Sequence, residues 1–337
     1  MSSRDVNTFL TTDAVGNREQ LSDVVSRITP EDTPILSLIG TGTVKGTHPE
    51  WETETLAPPG ENAQIEGNDF QFGTITPATR MGNYTQIMSK SFLASGSQNA
   101  EDNAGDAEKG LKKQLLKKGI ELKKDVEFSI VAANGSDSGD TRKSGSLSTW
   151  LTSNVSRGDG GQNGGFSQAN GKTTAPTNGT KRTFTKGLLD ATMQSCYESG
   201  GNVTQMVCSP YVKSVFVGFM VEDDVAAFRY SANSGKNNTI VANADIYEGP
   251  FGKVTVIPDR VMTTPDANGN ADALSRNVFL IDPEYLRWDW FRKIAQKPVA
   301  NTGDADKKAL LGEGTLRVKN EAANGVIADV YGINANT

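Results

Sequence analysis

The chain has 337 residues, a net charge of −6, 36 % hydrophobic and 22 % charged residues, with pI about 5.1 and mean hydropathy −0.44. That predicts a soluble protein of about two domains with a core that is adequate rather than rich. The acidic balance argues against tight binding through nucleic-acid phosphates, the most apolar run, Ser214–Val221, is far short of a membrane span, and the N-terminus has no secretory pattern.

Residues 1–16 read as a flexible arm. Leu21, Val24, Val25 and Ile28 then recur at helical spacing, with Asn17 and Gln20 as the cap. Thr29-Pro30 and Thr33-Pro34 break that helix, and ILSLI ends at Gly40. Residues 46–79 hold six acids, no Lys or Arg, and His48, the only histidine in the chain. Within them WETETL alternates as a strand, and Pro58-Pro59-Gly60 forces a turn. NYTQIMSKSFLASG returns as a second extended stretch, so 44–95 reads as a long β-hairpin-like excursion. A lone two-stranded ribbon is marginal in water, which calls for a partner surface.

Residues 101–134 carry the longest helical pattern. Ala104, Ala107, Leu111, Leu115, Leu122, Val126 and Ala133 share one face, opposite a Lys stripe that includes Lys109, Lys113 and Lys117. Glu101, Asp102, Asp106 and Glu108 suit the helix start, and Asn134-Gly135 the stop. Residues 156–182, rich in Gly, Ser, Asn and Thr, read as a mobile insertion. Beyond them TKGLLDATMQSCYES reads as a helix, VTQMVCS as a strand and YVKSVFVGFM as a helix or buried strand. GKVTVIPDRVM and NVFLID read as strands, and GTLRVKNEAANGVIADVYG as two strands joined near Asn324-Gly325. The class is α+β.

No constellation supports catalysis, a cofactor or a metal. His48 lies in a polar extended stretch with no nucleophile-elbow context. Cys196 and Cys208 are expected to be reduced and structural. Gly165–Thr174 departs from phosphate-loop spacing by one residue and lacks a preceding strand. Arg157-Gly158-Asp159 and the sequons at Asn83 and Asn202 are discounted without a secretion signal. Glu222-Asp223-Asp224 lacks the alternating ligand spacing of a calcium loop. Extended elements that cannot bury themselves point instead to a multi-chain assembly.

Seven segments carry a resemblance, in order along the chain: TTDAVGNREQLSDVVSRITPEDTPILSLIG, HPEWETETLAPP, IEGNDF, TRMGNYTQI, KKGIELKKDVE, LSTWLTSNVSRG and TGDADKKALLGEGTLRVKNEAANG. They resemble the major head proteins of tailed bacteriophages, with the Hong Kong 97 type of capsid fold. The resemblance implies an N-arm at 1–43, an extended E-loop at 44–95, and a peripheral domain at 96–155 with its spine helix at 101–134. It implies an axial domain at 183–285 after the 156–182 insertion, a return to the peripheral domain at 286–325, and an axial closing strand and C-terminus at 326–337.

The implied function is a non-enzymatic virion subunit that self-assembles as hexamers and pentamers into an icosahedral shell around double-stranded DNA. Implied partners are a portal, a separate scaffolding protein and a decoration protein, with no membrane and no cofactor, and with assembly in the host bacterial cytoplasm. The E-loop would lie on a neighbouring subunit through Trp51, Glu52, Glu54, Leu56, Glu61, Ile65, Glu66, Phe70 and Phe72, facing Lys109, Lys113 and Lys117 of the spine helix. One departure is clear: no Lys stands between Gly46 and Ser89, so no residue can inherit the covalent Lys–Asn cross-link of the type member. The chain starts almost at the N-arm, which makes a fused scaffolding domain unexpected. Two other readings stay open: a cellular encapsulating or storage shell of the same fold, and a nucleotide-binding enzyme using Gly165–Thr174.

Overall fold

A computed structural model describes residues 32–69, 72–97, 110–222, 245–266, 269–270, 272–301 and 303–334. The helix expected at 17–28, the start of the helix expected at 101 (Lys109 included), Phe70, and Asp223-Asp224 lie outside these.

The first described element is a short helix, α1 (Pro34–Leu38), followed by β1 (Gly40–Thr43), β2 (Glu50–Thr53), β3 (Thr79–Gly82) and β4 (Gln86–Ser95). The long helix α2 follows (Gly110–Val131). Its 22 residues make it roughly 33 Å long at 1.5 Å per residue. Leu122, Val126 and Ile130 are its buried stripe. The helix ends at Val131, before the Asn134-Gly135 stop. Ser146 takes over there: its Oγ accepts from Asn134 N–H and its own N–H donates to Asn134 O.

The sheet packed against α2 has four strands, in the order β1, β12 (Leu286–Lys297), β13 (Ala305–Val318), β4. β13 and β4 pair antiparallel from Ala305–Ser95 to Gly314–Gln86, which ties the end of the acidic excursion to the body. Trp288, Leu310 and Leu316 from this sheet join Leu122, Val126, Ile130, Ile35 and Ile39 in one core.

A six-stranded sheet forms the second layer system. Its order is β5 (Val155–Ser156), β14 (Gly325–Ile327), β11 (Val278–Ile281), β8 (Gln205–Cys208), β10 (Gly252–Pro258), β9 (Ile246–Gly249). Strand β11 is buried along its whole length. Alternation along it explains why: Val278 and Leu280 face the second core, while Phe279 and Ile281 face the first. The second core packs helices α4 (Lys186–Glu198) and α5 (Pro210–Glu222) on the sheet through Leu189, Met193, Val212 and Phe216. YVKSVFVGFM is therefore helical. Cys196 and Cys208 are free and buried, and burial pushes both thiols up to about 12.

Two expectations need correction. Asn324-Gly325 joins no hairpin, because β13 and β14 belong to different sheets. Asn324 acts as a tertiary connector: its Oδ1 accepts from Asp282 N–H at 2.8 Å and its amide donates to Asn320 O at 3.1 Å. Gly325 is needed for close approach, since a Cβ there would meet Cys196 Sγ at 2.8 Å. The second correction is to 156–182, which is folded onto the body. It contains a hairpin, β6 (Gly165–Ser167) with β7 (Lys172–Thr174). Phe166 stacks on Trp150 at 5.4 Å, which lies in the short helix α3 (Leu147–Trp150). Thr173 and Ser136 exchange three hydrogen bonds of 2.7–3.2 Å. A hairpin is also the wrong frame for a phosphate loop, and Lys172 Nζ is engaged by Asp137 at 2.8 Å.

Candidate inter-subunit surface

The acidic excursion leaves the body on a narrow, well-anchored base. Strands β2 and β3 pair antiparallel, Glu50 opposite Gly82 and Thr53 opposite Thr79. Glu50 forms an ion pair with Arg80. His48 stacks on Tyr84 with ring centroids 4.1 Å apart, so the only histidine in the chain has a packing role at the base of the loop. Trp51 lies 5.4 Å from Trp150, with the Arg317 guanidinium 5.6 Å over its ring. Its indole is occupied within its own subunit, as an anchor of the loop.

The returning leg is pinned by buried polar groups. Asn83 is fully buried; its amide donates to Leu316 O at 2.7 Å and its Oδ1 accepts from Gly145 N–H at 2.9 Å. Thr85, also fully buried, donates to Glu313 Oε1 at 2.7 Å. Arg142 and Arg292 complete the carboxylate's shell at 2.7 and 2.6 Å. Burial raises the Glu313 pKa, but the bonds from Thr85, Arg292 and Arg142 outweigh it and hold the group below the usual range. The sequon Asn83-Tyr84-Thr85 thus supplies two structural anchors. Periodicity could not reveal them, because their partners are remote in sequence.

Beyond the base the loop is open. Every described residue from 54 to 80 is exposed, and the bonds among Asn62, Gln64, Ile65 and Asn68 are local. Leu56, Ile65, Phe72 and Ile75 are 93, 82, 96 and 93 % exposed. Side chains that open touch almost nothing of their own subunit, and an apolar set of this size on one excursion is a candidate interaction surface. Three of the four were expected from the sequence; Ile75 was not. Glu52, Glu54, Glu61 and Glu66 are exposed on the same excursion. On α2, Lys117 is exposed and Lys113 is half-buried, while Lys118 pairs with Glu121 at 2.7 Å.

Magnitudes rank these contributions. Burying a Leu, Ile or Phe is worth about 1.5–3 kcal/mol, so four could contribute up to about 6–12 kcal/mol before the costs of association. An exposed ion pair contributes about 0–1 kcal/mol and is screened by salt. Buried against a partner, the apolar side chains would therefore contribute more than the exposed charges.

The SU10 major capsid protein family matches residues 7–331. The chain belongs to that family. Over 120 residues it is 34 % identical to the major capsid protein of Escherichia phage Phieco32, a match covering 35 % of this chain and only 34 % of that protein. Solved structures share the fold across nearly the whole chain. A protein of Gordonia phage Cozz has 12 % identity and a TM-score of 0.57, covering 98 % of both chains. A chain of the Cyanophage A-1(L) capsid asymmetric unit has 13 % identity and a TM-score of 0.56, covering 95 % of this chain and 98 % of that one. The SrpI encapsulin of Synechococcus elongatus has 10 % identity and a TM-score of 0.56, covering 100 % of this chain and 99 % of that one. At such identities the likeness shows the fold alone, the Hong Kong 97 capsid fold, which phage heads and an encapsulin share. Family membership decides for the phage capsid over the cellular shell.

Among the described residues of this capsid protein, no helix is long and apolar enough to cross a membrane, and no group of three or more His, Cys, Asp or Glu is placed to hold a metal ion.

Proposed function

We propose that this capsid protein is the non-enzymatic repeating unit of an icosahedral head, assembled as hexamers and pentamers in the host cytoplasm and closed around double-stranded DNA. Residues 44–95 act as the E-loop, α2 is the described part of the spine helix, and the six-stranded sheet with α4 and α5 is the axial domain. A portal, a separate scaffolding protein and a decoration protein are the further partners. One observation carries the reading: a loop rooted by fully buried Asn83 and Thr85 holds Leu56, Ile65, Phe72 and Ile75 out in solvent. A firm base and an uncovered apolar tip suit a docking arm that closes on a second copy.

The test is electron microscopy of the expressed chain beside the Leu56→Ser, Phe72→Ser, Ile75→Ser triple variant. Shells or tubes are expected from the parent and dispersed subunits from the variant. Normal assembly of the variant would sink the docking role of the loop.

Charge contributes less to the same contact. Changing Glu52, Glu54, Glu61 and Glu66 to Lys should slow assembly at low salt, with partial rescue by Lys109→Glu, Lys113→Glu and Lys117→Glu. No rescue at any salt would leave the apolar contacts alone. With no Lys between Gly46 and Ser89, boiled particles should run as monomers with no isopeptide ladder traced to the loop.

A further inference from the structure

The first N–H groups of any helix lack backbone partners. In α1 two of them, from Ile35 and Leu36, donate to Oε1 and Oε2 of Glu127 at 2.7 and 2.8 Å. Glu127 projects from α2 near its C-terminal end and is fully buried, as is Ile35 beside it. Asp259, also fully buried, lies just before the Val261–Thr263 turn, which packs on α2, and its charge acts on Glu127. Asp259 Oδ1 accepts from Val261 N–H at 2.8 Å, and Oδ2 has no hydrogen-bond partner among the described residues.

Among the described residues, the surrounding groups offer no compensating cation. Arg260 pairs with exposed Asp32 at 3.3 Å. Lys213, on α5, pairs with Asp245 at 2.6 Å. Lys90, on β4, pairs with Asp125 of α2 at 2.8 Å. Cys208, on β8, accepts the Asp259 N–H on its carbonyl at 2.8 Å and is itself buried. Among the described residues no ion pair joins Glu127 or Asp259 to any base.

We propose that Glu127 and Asp259 form a proton-controlled latch that fixes the Pro34–Leu38 turn against the long helix. With a proton on the pair, one buried charge remains and the two N–H bonds to Glu127 hold α1. With both ionised, two like buried charges act on each other with no counter-ion among the described residues, and either α1 or the 261–263 turn must loosen to admit water. Burial, followed by the Asp259 charge, pushes Glu127 up to about 7, against the pull of the Leu36 and Ile35 N–H groups. Burial pushes Asp259 up to about 6 despite its bond from Val261. Both values lie above the ordinary carboxylate range, so the folded chain holds more protons than the unfolded one. The contribution is full below the ordinary carboxylate values, about 4, declines as pH rises from there, and is lost by the time pH has passed through 6 to 7.

The experiment is hydrogen exchange on the full chain as free subunits, from about pH 5.5 to about pH 8.5, corrected for intrinsic chemistry. Because it uses free subunits, its outcome is separate from shell assembly. Protection over 34–39 and 259–263 should fall about tenfold or more across that range, the equivalent of one pKa unit, while peptides of α4 stay constant. Asp259→Asn keeps the acceptor for Val261 and removes one charge while leaving Glu127 buried, so its fall in protection at high pH should be smaller than in the parent. Glu127→Gln should lower protection over 34–39 at every pH and abolish the step. A flat wild-type profile, or an unchanged step in either variant, overturns the latch. If neither variant folds, the wild-type infrared band of a buried protonated carboxyl decides: its loss over the same range supports the latch, and its absence at the acidic end overturns it.

Discussion

The described residues of 54–78 project from the body on two four-residue strands, whereas residues 156–182 lie folded against it. Both stretches are polar, carry several glycines and lack a periodic apolar face. The difference lies in what buried polar partners each meets. The loop has its anchors at its base, Asn83 and Thr85, and beyond the base exposes apolar side chains. The 156–182 segment has anchors throughout: Thr173 on Ser136, Phe166 on Trp150, and Gly158 N–H on Asp329 Oδ2 at 3.0 Å. Asp329 is the firmest of them. It is fully buried, pairs with Arg276 at 2.8 Å and holds a positive φ of 61°. Arg276 reaches on to Gly179 O at 2.6 Å. A polar segment is thus ordered by buried charge and hydrogen bonds that its composition does not display.

The largest expected effect breaks that anchor. Asp329→Ala leaves Arg276 buried without its partner, and removal of one member of a buried pair costs about 3–5 kcal/mol. Chemical denaturation should show the loss, and limited proteolysis should then cut within 156–182. A variant as stable as the parent would mean that the segment is held by other contacts. A middle-sized effect is expected from Phe166→Ala. The ring is half-buried and stacked on Trp150, so the loss should be about 1–3 kcal/mol, below the full cost of a core aromatic. Faster exchange should be confined to the β6–β7 hairpin. The smallest effect belongs to the loop. In free subunits, Leu56→Ser, Phe72→Ser and Ile75→Ser should each change stability by less than about 0.5 kcal/mol, because their side chains touch little of the subunit. A larger loss would show that the loop packs on its own body.

The long helix, the excursion, about half of the strands and the capsid family were legible without a structure, whereas the twelve-residue strand β12 was not. The residues that hold these parts together were not. Glu127 looks like one more solvated acid among the lysines of the helix, yet it is buried and caps α1. The sequon residues Asn83 and Thr85 look like a modification signal, yet they root the loop. Asn324 looks like a hairpin turn and serves as a connector between layers. Trp51 alternates with the loop acids, as a docking side chain would, but packs on Trp150.

Periodicity along the chain determined which segments become helix or strand, because it reports which face of one element turns away from water. Only the tertiary structure decided which polar groups are buried. A buried carboxylate or amide is tolerable only with partners, and here those partners stand 92 residues away for Glu127, 228 for Thr85 and 171 for Asp329. No local pattern records a bond across such distances.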